Sequence, residues 1–160
     1  MGTEIPELGL GIESADCPVC RTAYQLYVRK AGIKIGPKGD IVSKFDLRFV
    51  QPNKELLSDK GMHTLEHFLA GFMREKLDDV IDISPMGCKT GFYLTSFGDI
   101  DVKDIIEALE YSLSKVLEQE EIPAANELQC GSAKLHSLEL AKSHAKQVLE
   151  NGISDKFYVE

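Results

Sequence analysis

His63, Glu66 and His67 fall within HTLEH, the most chemically pointed spacing in this chain of 160 residues. Histidines four residues apart on a helix lie one turn apart on the same face, so both imidazoles can reach a single metal ion. A glutamate ahead of the second histidine makes the pattern HxxEH, the inverted zinc-protease motif, in which the carboxylate serves as general base beside a metal. The motif leaves the third ligand open, and two cysteines are candidates for it. Cys88 sits at the tip of the turn SPMGCKTG, residues 84–91, where Lys89 and backbone amides offer a route to a lowered thiol pKa. Cys130 precedes Gly131 in a loop, and nothing local decides between the two. A pair of surface histidines is the plain alternative, because HxxxH arises readily by chance.

The two histidines need a helix to hold them, and residues 63–78 supply its pattern. At about 100° per residue, Leu65, Phe68, Leu69, Phe72, Met73 and Leu77 form an apolar stripe, with His63, His67, Ala70 and Arg74 opposite it. Ser58 or Asp59 can cap this helix. Upstream, Tyr24 to Ile35 reads as a strand, and GPKGD at 36–40 is the turn of a hairpin. In Lys44 to Val50, Phe45, Leu47 and Phe49 alternate with Lys44, Asp46 and Arg48, which predicts a half-buried strand with Arg48 on its solvated face. Val80 to Ile83 and Gly91 to Phe97 read as two more strands. Asp101 to Glu120 is an amphipathic helix burying Ile105, Leu109, Leu113, Val116 and Leu117. A last helix ends at Asn151-Gly152; His136 and His144 fall on one side of it among lysines and read as surface histidines. The pattern predicts an α+β fold, an antiparallel sheet packed with helices in a single domain over residues 24–160. Residues 1–23 form an arm with several glycines and prolines and no sustained period. The arm carries Cys17 and Cys20 as CPVC, without the second pair of a zinc knuckle or the strand-then-helix setting of a redox dithiol.

A net charge of −8 argues against nucleic acid or an anionic membrane as partner and favours a small-molecule substrate. The first ten residues have neither a basic stretch nor an apolar run, and Pro6 breaks the myristoylation pattern, so a cytoplasmic protein is expected. In that compartment the four cysteines stay reduced, as ligands, catalysts or packing.

Five stretches together, FDLRF (45–49), QPNKE (51–55), HTLEH (63–67), IDISPMGCKTGFYL (81–94) and EIPAANELQCGSAKLH (121–136), resemble S-ribosylhomocysteine lyase, the LuxS autoinducer-2 synthase family, across residues 25–152. The resemblance implies a homodimer with two active sites at the subunit interface and one divalent metal per subunit, iron(II) in the cell and zinc or cobalt on isolation. By resemblance His63, His67 and Cys130 are the metal ligands, and Cys88 and Glu66 the catalytic acid/base pair. Arg48, contributed across the interface, and Asp82 are substrate contacts. The reaction implied is cleavage of S-ribosylhomocysteine to homocysteine and 4,5-dihydroxy-2,3-pentanedione, the autoinducer-2 precursor. The arm departs from the family pattern Ser-Phe-x-x-Asp-His. A gapless register puts Cys20 at the histidine and Ala15 at the serine, whereas aligning Ser14 to the serine leaves Val19 at the histidine. Ser14 and Cys20 are therefore the arm's candidate substrate contacts. The rival readings are a non-catalytic, metal-stabilised binding module, which needs neither Cys88 nor Glu66, and an inverted-motif metalloprotease, whose chains are usually longer and use a glutamate as third ligand.

Overall fold

The architecture is that of a computed structural model, which describes residues 26–156. Ser14, Cys17 and Cys20 lie outside that range. Strands β1 (Tyr27–Ile35) and β2 (Ile41–Arg48) form the expected hairpin. Its turn closes through Gly36, whose N–H donates to the Asp40 carbonyl at 2.7 Å, and Gly39 takes φ +91°, a conformation that costs a residue with a Cβ much more. Helix α1 (Asp59–Lys76) follows, capped by the Ser58 side chain, which accepts from the Gly61 N–H. Then come β3 (Val80–Pro85), β4 (Gly91–Phe97), α2 (Val102–Leu117) capped by Asp101, and α3 (Leu138–Asn151) ending at Gly152 with φ +76°. The four strands run in the order β1-β2-β4-β3, every neighbour antiparallel, and with the three helices they make one α+β domain.

The helices pack on one another and cover one face of the sheet. Val28, Phe45, Leu47, Phe92, Leu94 and Ile83 line that face and meet Leu65, Phe68, Leu69 and Met73 of α1, the leucine-rich stripe of α2, and Ala141, Ala145 and Val148 of α3. The apolar stripe read from residues 65–73 is thus the core face of α1, and the polar side is left for His63 and His67. On α2, Leu117 is the exception to the expected buried set, being partly exposed at the last turn.

The sheet's other face was expected to meet solvent; Lys44 and Asp82 on it do, but its β1–β2 end does not. Tyr27, Arg29, Asp46 and Arg48 lie there in adjacent register positions, and Arg48 is only 5% exposed. Charged groups tolerate such burial when they are paired, and Arg29 and Asp46 form an ion pair at 2.7 Å. Alternation along β2 correctly separates the two faces, but alternation alone cannot tell a covered polar face from a wet one. At the crossing of β2 and β4, Gly91 is required by close approach, since a Cβ there would collide with the Leu47 carbonyl.

Candidate metal centre and thiol site

Two regions carry the chemistry. In the first, α1 presents His63 and His67 one turn apart toward the long loop between α2 and α3. That loop is folded on itself: the Asn126 side chain accepts from the N–H groups of Leu128 and Gln129, and the Asn126 carbonyl accepts from the Cys130 N–H at 2.9 Å. These turns aim Cys130 back at α1, with Sγ 3.4 Å from His63 Nε2. One ligand atom each from His63, His67, Cys130 and His136 lies within 4.8 Å of all the others.

The two α1 imidazoles are oriented for coordination. His63 Nδ1 is 2.6 Å from the Leu135 carbonyl and His67 Nδ1 is 2.8 Å from the Pro123 carbonyl. A carbonyl can only accept, so each Nδ1 carries the proton and each Nε2 offers its lone pair to the group. This is the outer arrangement that metal-binding histidines use. The separation of Cys130 Sγ from His63 Nε2 also matches the ~3.5 Å expected for a sulfur and a nitrogen on one tetrahedral ion. Donor chemistry and geometry therefore fit a divalent metal. Beside the thiol, an open cleft of about 630 Å³, lined in part by Glu127, Cys130, Ser132 and Leu135, leaves room for a second molecule.

His136 is the residue that sequence reasoning missed. It precedes the α3 cap Ser137 and so does not belong to the helix face assigned to it; its ring stacks on His63 at 3.9 Å between centroids. Burial, aided by the nearby His63 and His67 rings, pushes its pKa down to about 4, so it is neutral at pH 7. The signal was its place six residues after Cys130 in CGSAKLH, close enough for one loop to deliver both. His144 is not a surface histidine either. It is half-buried beneath the start of α1, with Nε2 2.8 Å from Ser58 Oγ.

The second region is the turn after β3. Met86 and Gly91 close it through an N–H to carbonyl bond of 2.9 Å, and Lys89 takes φ +59° at its tip. Cys88 Sγ lies 3.0 Å from Thr90 Oγ1 and receives a long contact from Arg48 Nη1 at 3.7 Å. Arg48 also donates to Thr90 Oγ1 and, from Nε, to the Tyr27 hydroxyl at 3.0 Å. Arg48 is therefore committed to this cluster within its own chain. Burial opposes ionisation of Cys88, but hydrogen bonds from Thr90 and the positive charge and hydrogen bond of Arg48 outweigh it, and the thiol pKa is lowered. Burial pushes the Tyr27 hydroxyl the other way, well above its ordinary range, so it remains protonated beside the arginine.

The turn is docked against the start of α1: Lys89 pairs with Asp59 at 2.5 Å, and the Leu57 N–H donates to the Lys89 carbonyl at 2.8 Å. Even so, Cys88 does not join the histidine group within its own chain. Glu66 is half-buried on α1 next to His67, and Asp82 is exposed on β3 opposite Thr95.

Residues 20–158 match the family profile of S-ribosylhomocysteinase (LuxS). The chain belongs to the LuxS family. Among curated relatives, the S-ribosylhomocysteine lyase of Clostridium perfringens (strain ATCC 13124) is 99% identical over 134 residues, 84% of this chain and 89% of the relative. The proteins of the same name from Clostridium botulinum (strain Alaska E43) and Clostridioides difficile (strain 630) are 55% and 52% identical over the same shares of the two chains. No helix among the described residues is long and apolar enough to cross a membrane.

Proposed function

We propose that this chain is an S-ribosylhomocysteine lyase, cleaving its substrate to homocysteine and 4,5-dihydroxy-2,3-pentanedione. The observation that carries the reading is the gathering of His63, His67 and Cys130 in a chain 99% identical to a protein named for that activity. The chemistry follows from where the carbonyl starts. In the opened ribose the carbonyl is at C1 and the thioether at C5, so β-elimination of the thiol becomes possible only after the carbonyl has moved to C3. Two carbonyl shifts and one elimination each remove a proton next to a carbonyl. A divalent metal held by His63, His67 and Cys130 supplies Lewis-acid polarisation of the sugar oxygens. Cys88 Sγ, whose ionisation Thr90 and Arg48 favour, takes each carbon-bound proton and returns it to the neighbouring carbon during the shifts. The Glu66 carboxylate moves protons among the sugar oxygens and to the departing sulfur. Arg48 and Asp82 hold the substrate. A binding module that needed only a metal would have no use for a thiol kept below its ordinary pKa.

Two copies share each site. Cys88 is not part of the histidine group in its own chain, which supports a site to which a partner supplies one of them. The loop that carries Cys130 exposes Leu128 at 98% and Leu135 more modestly, as a surface that meets a partner does. The arm of residues 1–23 completes the neighbour's pocket through Ser14 or Cys20, and the domain proper begins at about residue 24. By the family resemblance the metal is iron(II) in the cell, with zinc or cobalt on isolation; one thiolate and two imidazoles suit all three and do not choose among them. The protein acts in the reducing cytoplasm, a reading that the free thiols Cys88 and Cys130 support.

Complementation tests the activity and the sharing together. Cys88→Ala and His67→Ala homodimers should each be inactive in thiol release from S-ribosylhomocysteine. A co-refolded mixture should recover about a quarter of wild-type turnover, because half the dimers are mixed and each mixed dimer has one intact site. No recovery would place the whole site in one chain. No thiol release by anaerobically iron-loaded wild type would refute the lyase itself.

A further inference from the structure

We infer that His136 is a positioning residue that donates its Nε2–H to the Cys130 sulfur, and that it is not a fourth metal ligand. The inference rests on the reading of His63, His67 and Cys130 as ligands. By distance alone the matter is open: His136 Nε2 is 3.6 Å from Cys130 Sγ, a separation that suits either an N–H···S hydrogen bond or two ligands on one ion. Two other observations decide it.

The first is a count of hydrogen bonds at Thr64. This α1 residue is fully buried, and its Oγ1 accepts from the Ser137 N–H at 3.0 Å. Its hydroxyl proton has one acceptor in reach among the described residues, His136 Nδ1 at 2.9 Å. Were Nδ1 to carry the ring proton, the buried hydroxyl would have nowhere to donate. Satisfying both groups makes Nδ1 the acceptor and puts the ring proton on Nε2, which faces the sulfur. His63 and His67 are fixed in the opposite tautomer by backbone carbonyls. Within one cluster, two imidazoles present a lone pair and the third presents a proton.

The second observation is the ring geometry. Two imidazoles on one tetrahedral ion fan out from it, with centroids about 5 Å apart. His63 and His67 meet this at 4.9 Å. His63 and His136 are stacked at 3.9 Å with planes 20° apart, too close to splay from a common ion. The chain Ser137 N–H, Thr64 hydroxyl, His136 ring, Cys130 sulfur therefore runs beside the metal position and stabilises negative charge on the thiolate. It leaves a metal bound by three ligands with an open place for substrate.

Cobalt(II)-loaded protein provides a spectroscopic test, because the thiolate-to-cobalt charge-transfer band reports hydrogen bonding to sulfur while the visible ligand-field bands report the ligand set. His136→Ala should keep one cobalt per chain, shift the charge-transfer band to longer wavelength, leave the ligand-field bands in place, and lose metal to a chelator at an affinity about 10- to 100-fold weaker. His136→Gln, whose amide N–H can reach the sulfur, should return the band toward its wild-type position. Should His136→Ala not fold, Thr64→Val against Thr64→Ser makes the same comparison, with the shift expected only in the variant lacking the hydroxyl. Displaced ligand-field bands in both His136 variants would show a lost nitrogen ligand and overturn the inference. An unmoved charge-transfer band in His136→Ala or Thr64→Val would also overturn it. Absence of that band from the wild type would refute the ligand assignment, and this inference with it.

Discussion

The histidine group and the Cys88 turn use the same kinds of side chain for opposite ends. On the helix layer, α1 and the following loop fix the His63 and His67 tautomers with carbonyls 72 and 56 residues away in sequence, so that lone pairs converge on one point. On the sheet layer, Arg48 and Thr90 surround a thiol with positive charge and donors, so that its proton is easily lost. A metal ligand requires an available lone pair and tolerates little movement. A proton carrier requires a pKa near the working pH. The comparison teaches that cysteine identity says nothing about role here; the partners of the sulfur do.

The largest expected effect comes from exchanging the two sulfurs' fates. Cys130→Ala should lose the metal, abolish turnover and lower the melting temperature, because a set of ligands drawn from α1 and a distant loop contributes folding free energy once filled. Cys88→Ala should retain one metal per chain while turnover falls by about 10³-fold or more. Metal analysis of both purified variants checks this, and loss of metal from Cys88→Ala with retention in Cys130→Ala would reverse the two regions. Next in size is Glu66→Gln, which keeps the shape and charge-free hydrogen bonding of the side chain but cannot carry a proton. Metal content and fold should persist while turnover falls by about 10²-fold. Unchanged thiol release would confine the proton chemistry to the sheet layer alone.

Much of this division was legible in the residues. The helix period separates Leu65, Phe68, Leu69 and Met73 from His63 and His67, and the structure buries the first set while turning the second toward the loop. The hairpin glycines, the α1 cap and the Gly152 terminus follow from local backbone chemistry and were equally plain. What local patterns could not give was anything decided by packing between distant segments. Arg48 alternates with Phe49 as a solvated residue would, yet Tyr27 and Thr90, 21 and 42 residues away, enclose it. His136 and His144 share a spacing with surface helix positions, but a loop delivers one to Cys130 and helix packing lays the other under Ser58. Long-range closure sets the environment of a polar side chain, and period alone is silent about it.

A smaller effect would sharpen the electrostatic half of the comparison. Arg48→Met removes the positive charge that favours the Cys88 thiolate, so the thiol pKa should rise. Alkylation of Cys88 by iodoacetamide, followed with metal bound at the other sulfur, should shift its pH profile upward, and kcat/KM at neutral pH should fall about 10-fold. An unmoved alkylation profile would mean that Thr90 alone sets the thiol, and that Arg48 acts only on substrate.

The smallest effect tests whether neutral imidazoles are a habit of the whole helix layer. His144 Nε2 lies 3.2 Å from the Ser58 N–H and 2.8 Å from Ser58 Oγ, which itself accepts from Gly61 N at the start of α1. An unprotonated Nε2 accepts from Ser58; a protonated ring would turn a donor toward a donor. Burial accordingly lowers the His144 pKa. An unfolded histidine takes up its proton near pH ~6.5, above the folded value, so in the interval between them the unfolded chain binds more protons. The stabilisation is therefore complete above about pH 6.5 and is lost as pH falls through the folded pKa. His144→Gln offers an amide oxygen to the same Ser58 donors and does not titrate. His136 and the carboxylates titrate alike in both proteins, so their contributions cancel in the difference. The melting temperature of wild type minus that of His144→Gln should hold steady from pH 8 to 7 and then fall by a few degrees toward pH 5. A difference that stays flat across that range would show that His144 keeps its place under α1 whether charged or not, and that lone-pair use of imidazoles is confined to the metal centre.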